Sequence, residues 1–246
     1  MLTVDKLSYS VGNKTILADI NFDLQHNSLT CILGPNGAGK TSLLKQICGL
    51  SKNKSATIKF GDEDLLAMTE LQRAALIAYV PQKTSSLPDF SVREFIQQAS
   101  YCHSAKTLPI DLDAILLTCE LKTIEKQSLS TLSGGEMQRV LFASSLYQAS
   151  PLILLDEVTA GLDPAHHDSI CQLIHKTKEL HKLTYLWVTH DINAALRYAD
   201  RILILKNSKL IFDDTPDALK NGILLSEIFE KEFKVLSDEQ GQKYLI

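Results

Sequence analysis

The sequence has no excess of positive charge, no long apolar run and no apolar leader. Its 25 lysines and arginines are outnumbered by 29 aspartates and glutamates, so the formal net charge is −4. Proteins that bind nucleic acid over a broad surface are usually basic, and this composition excludes that class unless a local patch exists. Apolar runs such as those at 151–155 and 201–205 are far shorter than the ~20 residues of a transmembrane helix. The opening residues, MLTVDKLSYS, lack the apolar core of a signal peptide.

Cysteine pairs and low-complexity segments are also missing. The five cysteines, at 31, 48, 102, 119 and 171, are scattered, and no two form a C-x-x-C pair. This spacing favours reduced, mostly buried cytosolic thiols over a disulfide framework or a zinc site. With 45% hydrophobic residues, the chain of 246 residues is long enough to bury a sizeable core.

Strand-like and helix-like segments alternate along most of the chain. The alternating segments LTVDKLSYSV and ILADINFDLQ predict two early antiparallel strands. The apolar runs in SLTCILG, PLILLDE and LTYLWVTHD predict buried strands, each followed by a helical pattern. Between 85 and 149 the pattern is helical, without a convincing strand. We therefore predict an α/β fold: a mainly parallel sheet and an antiparallel β lobe within 1–84 and 150–246, and a helical insert at 85–149.

A glycine-rich segment follows a predicted buried strand and precedes a predicted helix. GPNGAGKT matches G-x-x-x-x-G-K-[ST] through Gly34, Gly39, Lys40 and Thr41. In this setting glycines let the backbone wrap around phosphate oxygens, the lysine reaches the β- and γ-phosphates, and the hydroxyl can ligate Mg²⁺. A plain glycine-rich turn would leave Lys40 unexplained, so we predict a nucleotide site.

Two acids and a histidine follow other predicted strands. Asp156 and Glu157 end PLILLDE, and His190 ends YLWVTH. Beside a bound phosphate, the first carboxylate suits Mg²⁺ and the second suits deprotonation of the attacking water. His190 would stand at the sheet edge where ligands bind, within reach of a γ-phosphate. The pair His166-His167 suggests a metal site, but a solvent-facing helix explains it more simply.

The segment TLSGGEMQRV, which begins at Thr131, predicts a second anion-binding helix start. Ser133, Gly134 and Gly135 stand directly before a helical pattern, where backbone N–H groups lie open to an anion. A single nucleotide site would account for only one of these two predicted anion-binding helix starts, so the second one needs its own explanation.

With these motifs in this order, the chain resembles the ATP-binding-cassette (ABC) ATPases over nearly its whole length. LSGGE at 132–136 looks like the signature sequence of that family, and AYVPQ supplies Gln82 as the Q-loop glutamine. AGLDP supplies Asp163 in the D-loop, and His190 matches the switch histidine. Tyr9 fits the aromatic residue that stacks on adenine.

The resemblance implies one P-loop NTPase domain over 1–246, with a RecA-like sheet and with the signature in the helical subdomain. It implies ATP and Mg²⁺, bound in a head-to-tail dimer between the P-loop of one subunit and the signature of the other, which explains the second cradle. The implied catalytic residues are Glu157, His190 and Gln82, and the implied Mg²⁺ ligands are Thr41, Gln82 and Asp156. The implied nucleotide-binding residues are Tyr9, Gly34, Pro35, Asn36, Gly37, Ala38, Gly39, Lys40, Thr41 and Ser42. The implied residues that face the nucleotide of the other subunit are Leu132, Ser133, Gly134, Gly135 and Glu136, with Asp163 in the D-loop.

Three positions depart from the usual pattern of the family. Glu136 stands where the signature commonly has glutamine, and Val158 stands where proline commonly follows the acid pair. Asn27 replaces a turn glycine before the P-loop strand, and asparagine is the next-best residue for a left-handed backbone. None of these changes removes a catalytic group, so we expect ATPase activity.

The resemblance also implies a transporter with a separate, dimeric transmembrane permease and no nucleic-acid partner. The permease would contact the helical insert from Lys83 to Phe95, where Leu87, Phe90 and Phe95 are either contact residues or core residues. SVREFI after YVPQ, together with the short tail, looks most like ATPases that import metal chelates (siderophore, haem or cobalamin) delivered by a substrate-binding protein. The implied location is cytoplasmic, on the inner face of the cell membrane. A zinc or manganese importer, a lipid-transport cassette and an ATPase of iron–sulfur assembly are the alternatives.

Overall fold

The structure is a computed structural model that describes residues 2–51, 56–82, 89–102, 111–237 and 243–246. Its strands are β1 (Leu2–Val11), β2 (Lys14–Leu24), β3 (Leu29–Leu33), β4 (Thr57–Phe60), β5 (Glu63–Asp64), β6 (Ile77–Val80), β7 (Leu152–Asp156), β8 (Thr184–Val188), β9 (Arg201–Lys206), β10 (Lys209–Asp214), β11 (Val235–Ser237) and β12 (Lys243–Leu245). Its α-helices are α1 (Lys40–Ile47), α2 (Glu70–Ala74), α3 (Val92–Gln98), α4 (Leu112–Thr118), α5 (Gly134–Tyr147), α6 (Pro164–His181), α7 (Ile192–Tyr198) and α8 (Ile223–Phe229). Short 3₁₀ turns cover Ala99–Cys102, Lys122–Ile124, Leu129–Thr131 and Pro216–Leu219. The chain forms two compact units, a first of Met1–Leu66 with Thr184–Ile246 and a second of Ala67–Leu183.

The first unit contains an antiparallel sheet and a mainly parallel group of strands. In the antiparallel sheet the strand order is β2-β1-β4-β5, so the two early strands pair as predicted. In the other group β3 lies between β8 and β9 and is parallel to both, and β10 pairs antiparallel with β9. The predicted α/β fold, with an antiparallel β lobe beside mainly parallel strands, is confirmed.

The parallel strands β3 and β8 of the first unit are apolar runs, as is typical of parallel strands that are buried on both faces. Every residue of β3 and β8 is buried. The register pairs Ile32 of β3 with Val188 of β8. Since Gly34 and His190 each come two residues later, both leave the strands at one edge, which we call the carboxyl edge.

A left-handed turn precedes β3 at the opposite, amino edge of these strands. Asn27 has a φ of 56°, as predicted for a residue that replaces a turn glycine. Its backbone N–H donates to Thr184 Oγ1 at 3.0 Å. The Leu29 N–H donates to Asp200 Oδ2 at 2.7 Å. These bonds fix where β3 begins, and therefore where the loop at its far end lies.

The second unit contains the parallel pair β6 and β7, with helices in most of its other described parts. The described residues of the predicted helical insert at 85–149 form helices and turns, apart from one isolated bridge between Ser91 and Ser128. The second unit is wider than that insert, because it also includes β6, β7 and α6.

Three helices of the second unit begin with the same capping box. Each N-cap hydroxyl accepts the backbone N–H three residues on, and the side chain at that third position accepts the N-cap N–H. The pairs are Thr69 with Gln72, Ser91 with Glu94, and Ser133 with Glu136. The predicted N-cap at Thr69 is confirmed, although α2 ends early, at Ala74.

Four charged side chains tie α3 to α4 and to the turn after it. Arg93 Nη1 lies 2.8 Å from Asp113 Oδ1 and 2.5 Å from Glu125 Oε2. Lys122 Nζ lies 2.7 Å from the same Asp113 oxygen. Hydrogen bonds from Arg93, and then from Lys122, lower the pKa of Asp113 from 3.8 to about 2.

The C-terminal segment and the cysteines follow their predictions. One helix, α8, precedes the antiparallel pair β11 and β12. Asn193 of α7 exchanges two hydrogen bonds with the Leu245 backbone, both at 2.9 Å, and so fixes β12 to the first unit. All five cysteines lie among the described residues, and none of them is in a disulfide. Three of them, Cys31, Cys119 and Cys171, are buried as apolar residues would be.

Candidate functional site

The P-loop joins β3 to α1 and is shaped by two glycines that no other residue could replace without strain. Gly39, the N-cap of α1, has a φ of 103°, and a Cβ there would lie 2.8 Å from the Ile16 carbonyl oxygen. Gly34 has a φ of 147°, and a Cβ there would collide with the Leu205 carbonyl oxygen. The loop therefore packs closely against its neighbours and keeps the bare backbone that a phosphate cradle requires.

Lys40 lies inside this loop and is only 5% exposed. Its Nζ donates to the carbonyl oxygens of Gly34, at 2.8 Å, and Pro35, at 3.1 Å. The ammonium group is thus held where a phosphate oxygen can replace a carbonyl as acceptor. The other predicted cradle residues are spread from buried (Ala38) through half-buried (Pro35, Thr41 and Ser42) to exposed (Asn36 and Gly37).

Tyr9 lies on the strand pair that packs against the P-loop. It is half-buried in β1 and pairs with Leu17 of β2. Leu17 Cδ2 stands 2.8 Å from the position of a Cβ on Gly39. The arrangement brings the strand that carries an aromatic ring to the side of the phosphate cradle, which suits stacking on a base.

His190 lies at the carboxyl edge of the first unit. It is exposed and follows Thr189, whose N–H donates to the Ile32 carbonyl at 3.2 Å. The next residue, Asp191, caps α7 by accepting the Ala194 N–H at 2.9 Å. The histidine is therefore held between a strand end and a capped helix, at the level of Gly34.

In the second unit, Asp156 and Glu157 follow β7 and have different surroundings. Asp156 is 2% exposed, and its Oδ2 accepts the Tyr79 hydroxyl at 2.9 Å. Glu157 is half-buried, and its Oε2 accepts Gln82 Nε2 at 2.6 Å. The first carboxylate is fixed and shielded, as a cation ligand should be, while the second can meet a water molecule.

Glu157 has a left-handed backbone, with a φ of 51°. This conformation costs a glutamate roughly 1–3 kcal/mol, and such strain is concentrated at functional sites. The Glu157 carbonyl accepts the Ala160 N–H at 2.9 Å, which closes the turn that imposes it.

The Q-loop is also bound to α5. Gln138 Nε2 donates to the Gln82 carbonyl at 3.3 Å. Hydrogen bonds therefore run from Glu157 through Gln82 to the helix that begins at the signature. Sequence reasoning missed Gln138 and the Tyr79 hydroxyl, because side chains that meet across 56 or 77 positions of sequence leave no local signal.

The signature forms the N-terminus of α5, a helix of 14 residues. Ser133 and Gly134 are exposed, Leu132 is half-buried, and Gly135 is buried. The Glu136 carboxylate accepts the Ser133 N–H at 2.8 Å and the Ser133 hydroxyl at 2.7 Å. These bonds lower the pKa of Glu136. Glutamate at this position thus completes the capping box, which uses the N–H groups of Ser133 and Glu136 and leaves those of Gly134 and Gly135 for an anion.

Asp163 and His166 stand beside the signature helix. Asp163 caps α6 by accepting the N–H groups of His166 and Ala165, both at 3.0 Å, and the bonds from His166 do most to lower the pKa of Asp163. His166 Nδ1 lies 2.7 Å from Asp163 Oδ2. A Cβ on Gly135 would lie 2.5 Å from His166 Cδ2. His166 is therefore a packing partner of the signature, which the pattern of a solvent-facing helix did not predict.

Other predicted features receive less support from the geometry. In the described parts of the chain, no group of three or more metal-binding side chains converges at His166-His167 or elsewhere.

Of the predicted permease contacts, Lys83 and Leu87 lie outside the described residues, and Phe90 and Phe95 are half-buried. The helices that the structure describes include none with the length and apolarity to cross a bilayer.

Comparison with known proteins agrees with these motifs. A family model described as ABC transporter matches residues 17–160. The "Probable iron chelatin transport ATP-binding protein" of Helicobacter pylori is 36% identical over 96% of this chain and 95% of its own length. The hemin import ATP-binding protein HmuV of Shewanella denitrificans is 30% identical over the whole of both chains. LivF of Archaeoglobus fulgidus, named for branched-chain amino acid transport, is 33% identical over 94% of this chain and 97% of its own.

Solved structures share the same architecture. An inward-facing ABC transporter described as metal-chelate type aligns with a TM-score of 0.83 and 23% identity over 100% of this chain and 96% of its own. At that identity the likeness shows the fold alone. The family match covers more than half of the chain and the curated relatives cover nearly all of it. The chain belongs to the ABC transporter family, as one of its ATP-binding subunits that hydrolyse ATP.

Proposed function

We propose that this chain powers the import of a metal chelate (siderophore, haem or cobalamin) through a separate permease. The observation that carries the cargo class is the full-length similarity to the iron chelatin and hemin import subunits. The ATPase itself touches no cargo, so the proposal concerns the permease with which this chain pairs. An importer of branched-chain amino acids is the second candidate, because LivF matches at a similar identity.

The roles of the site residues are proposed from the motifs that carry them. Lys40, within the P-loop residues 34–42, binds the β- and γ-phosphates, and Tyr9 stacks on the adenine. Mg²⁺ takes most of its ligands from phosphate oxygens and water, so Thr41, Gln82 and Asp156 suffice for the protein's share. The shielding of Asp156 by Tyr79 and the cradle that excludes a Cβ at Gly34 support this assignment.

Glu157 is proposed as the general base that takes a proton from the attacking water, with Gln82 and His190 as its partners at the γ-phosphate. In the described arrangement the Gln82 amide occupies Glu157 Oε2. A carboxylate has about four acceptor sites, so Glu157 can keep this bond, which orients it, and still accept a proton from the water.

We also propose that two copies of the chain form a head-to-tail dimer with ATP between them. The exposed N–H groups of the signature helix in one copy would stabilise the γ-phosphate bound by the other. Nucleotide then contributes directly to dimer stability, and hydrolysis removes that contribution. The complex would lie on the cytoplasmic face of the membrane and receive cargo from a substrate-binding protein.

The test begins with capture of the tagged chain from gently solubilised membranes and mass spectrometry of what accompanies it. The captured complex is then reconstituted, and its ATPase rate is measured with a binding protein loaded with ferric siderophore, haem, bare metal or leucine. Stimulation by a chelate alone supports the proposal. Stimulation by leucine or by bare metal, or capture of soluble iron–sulfur proteins in place of a permease, would refute it.

A further inference from the structure

The hydroxyl of Tyr79 is placed beside Asp156 by the register of two parallel strands in the second unit. Tyr79 of β6 pairs with Leu154 of β7, and Val80 pairs with Leu155. Asp156 comes two residues after Leu154, so its side chain lies on the same face of the strand pair as that of Tyr79, about 6.6 Å further along. The phenol ring therefore extends along the strands toward the end of β7, and its hydroxyl donates to Asp156 Oδ2 at 2.9 Å.

This hydrogen bond fixes the plane of the Asp156 carboxylate. The torsion that rotates a carboxylate about its Cβ–Cγ bond has broad minima, so rotamer preference alone leaves the two oxygens poorly oriented. A donor on one oxygen orients both, and a hydrogen bond to a carboxylate is stronger than one between two neutral groups. Since Asp156 is 2% exposed, little water is available to replace this donor. The Tyr79 hydroxyl thus holds Oδ1, the other oxygen, in a defined direction.

The orientation of a carboxylate matters most to a cation with strict coordination geometry. Mg²⁺ requires near-ideal octahedral coordination at about 2.0–2.1 Å, whereas Ca²⁺ accepts roughly six to eight oxygens at about 2.3–2.6 Å in a flexible arrangement. Replacing a residue that orients a metal ligand, without touching the metal, typically changes metal affinity about 10–100-fold. A carboxylate of fixed direction therefore favours Mg²⁺ more than a carboxylate that is free to rotate.

We propose that Tyr79 is a positioning residue of the metal site and that it contributes to the selection of Mg²⁺ over Ca²⁺ by orienting Asp156. The inference rests on the proposed function, in which Asp156 helps to bind Mg²⁺ beside the nucleotide. Tyr79 acts only through the carboxylate, because its hydroxyl donates to Oδ2.

Tyr79→Phe tests the inference, because it keeps the ring and removes only the hydroxyl. ADP is titrated calorimetrically into the full chain in EDTA, in Mg²⁺ and in Ca²⁺, and the gain in ADP affinity that each metal gives is compared. We expect Tyr79→Phe to reduce the gain from Mg²⁺ about tenfold and the gain from Ca²⁺ about twofold. The preference for Mg²⁺ should therefore fall about fivefold, while ADP affinity in EDTA should stay unchanged.

Tyr147→Phe is the matched control. It removes the same hydroxyl from another half-buried tyrosine of the second unit, at the end of α5, and should leave both gains unchanged. The urea midpoint without nucleotide reports whether each variant is folded. A lower midpoint in Tyr79→Phe with an unchanged ratio of the two gains would mean that the hydroxyl only stabilises the fold, and would overturn the proposal. A loss of the same size in Tyr147→Phe would overturn it as well.

Asp156→Asn separates a failure of this inference from a failure of the proposed function. If Asp156 serves the cation, this substitution should remove most of the gain from Mg²⁺. Loss of the gain in Asp156→Asn but not in Tyr79→Phe would show that only the role of Tyr79 is wrong. An unchanged gain in both variants would show that the assignment of Asp156 to Mg²⁺ is itself wrong, and the inference would fail with it.

Discussion

The imidazole ring of His166 lies directly against the backbone of Gly135, so that a Cβ on this glycine would stand 2.5 Å from His166 Cδ2. A Cβ on Gly134, one residue earlier, would meet no other atom within 4 Å. The second glycine of the signature is therefore required by packing, whereas the first is not. His166 is held in place by Asp163, at 2.7 Å.

This contact predicts different effects for two neighbouring alanine substitutions. Gly135→Ala should lower the free energy of unfolding by about 1–3 kcal/mol, the usual cost of overpacking. Gly134→Ala should be neutral or slightly stabilising, since alanine is favoured over glycine in a helix. Chemical denaturation measures both. In the double variant Gly135→Ala/His166→Ala most of the lost stability should return, and independent, additive losses would rule out the contact as the cause.

The two serine N-caps give a matched pair for the proposed role of the signature. Ser133→Arg and Ser91→Arg each remove a capping box of the same geometry and should each cost about 1 kcal/mol of stability. Only Ser133→Arg should block ATP hydrolysis, because the proposed role acts across the dimer. Nucleotide binding by the monomer, followed by fluorescence, should survive in both variants. Loss of monomer binding in Ser133→Arg would place the signature in its own subunit's site.

Lys40→Ala should weaken ATP binding about 100-fold, because two charge-assisted hydrogen bonds to phosphate are lost. Lys45→Ala, an exposed lysine of the same helix, is the control and should bind ATP normally. Isothermal titration measures both affinities. Tight ATP binding by Lys40→Ala would be incompatible with the role proposed for this side chain.

Glu157→Gln should retain ATP binding, reduce turnover by at least about 100-fold through loss of the general base, and accumulate a dimer. Phosphate release and size-exclusion chromatography with ATP test the two effects together. Gln82→Ala removes the amide that lies 2.6 Å from Glu157 Oε2 and should also slow turnover, since the proposed base loses the bond that orients it. Normal hydrolysis by Glu157→Gln would falsify the assignment of the base.

The charge network around Asp113 predicts how stability changes in acid. The folded-state pKa of Asp113 is about 2 against 3.8 for the unfolded chain, so its contribution is complete above about pH 4 and is lost as the pH falls toward 2. Asp113→Asn should therefore lower stability at pH 6 and flatten its decline between pH 4 and 2. Urea titrations at several pH values measure this, with Asp62→Asn, an exposed aspartate of the turn after β4, as the control. The same slope in wild type and Asp113→Asn would exclude the network as its source.

Local signals made much of this structure predictable. Alternation located β1 and β2, apolar runs located β3, β7 and β8, and the P-loop residues were evident from the context of strand and helix. The left-handed Asn27 was expected from the resemblance, because the family commonly has a turn glycine at this position.

What the sequence did not reveal depends on contacts between distant positions. The Tyr79 hydroxyl reaches Asp156 because β6 and β7 pair in parallel with a particular register. The sequence of either strand alone does not determine that register. The extent of the second unit also depends on contacts. Helix α6 belongs to this unit, and nothing in the sequence of α6 alone indicates that. Helical periodicity gives the exposed face of α6 but not the glycine against which His166 packs.

The Leu205 carbonyl leaves no room for a side chain on Gly34, so the floor of the phosphate cradle is formed by packing of the protein's own backbone. Much of the entropy of ordering this loop is therefore lost during folding, and less remains to be lost on binding. Nucleotide affinity is thereby coupled to the local stability of β9. A cavity-forming substitution in that strand, far from every atom of ATP, would weaken nucleotide binding by restoring motion to a preorganised loop.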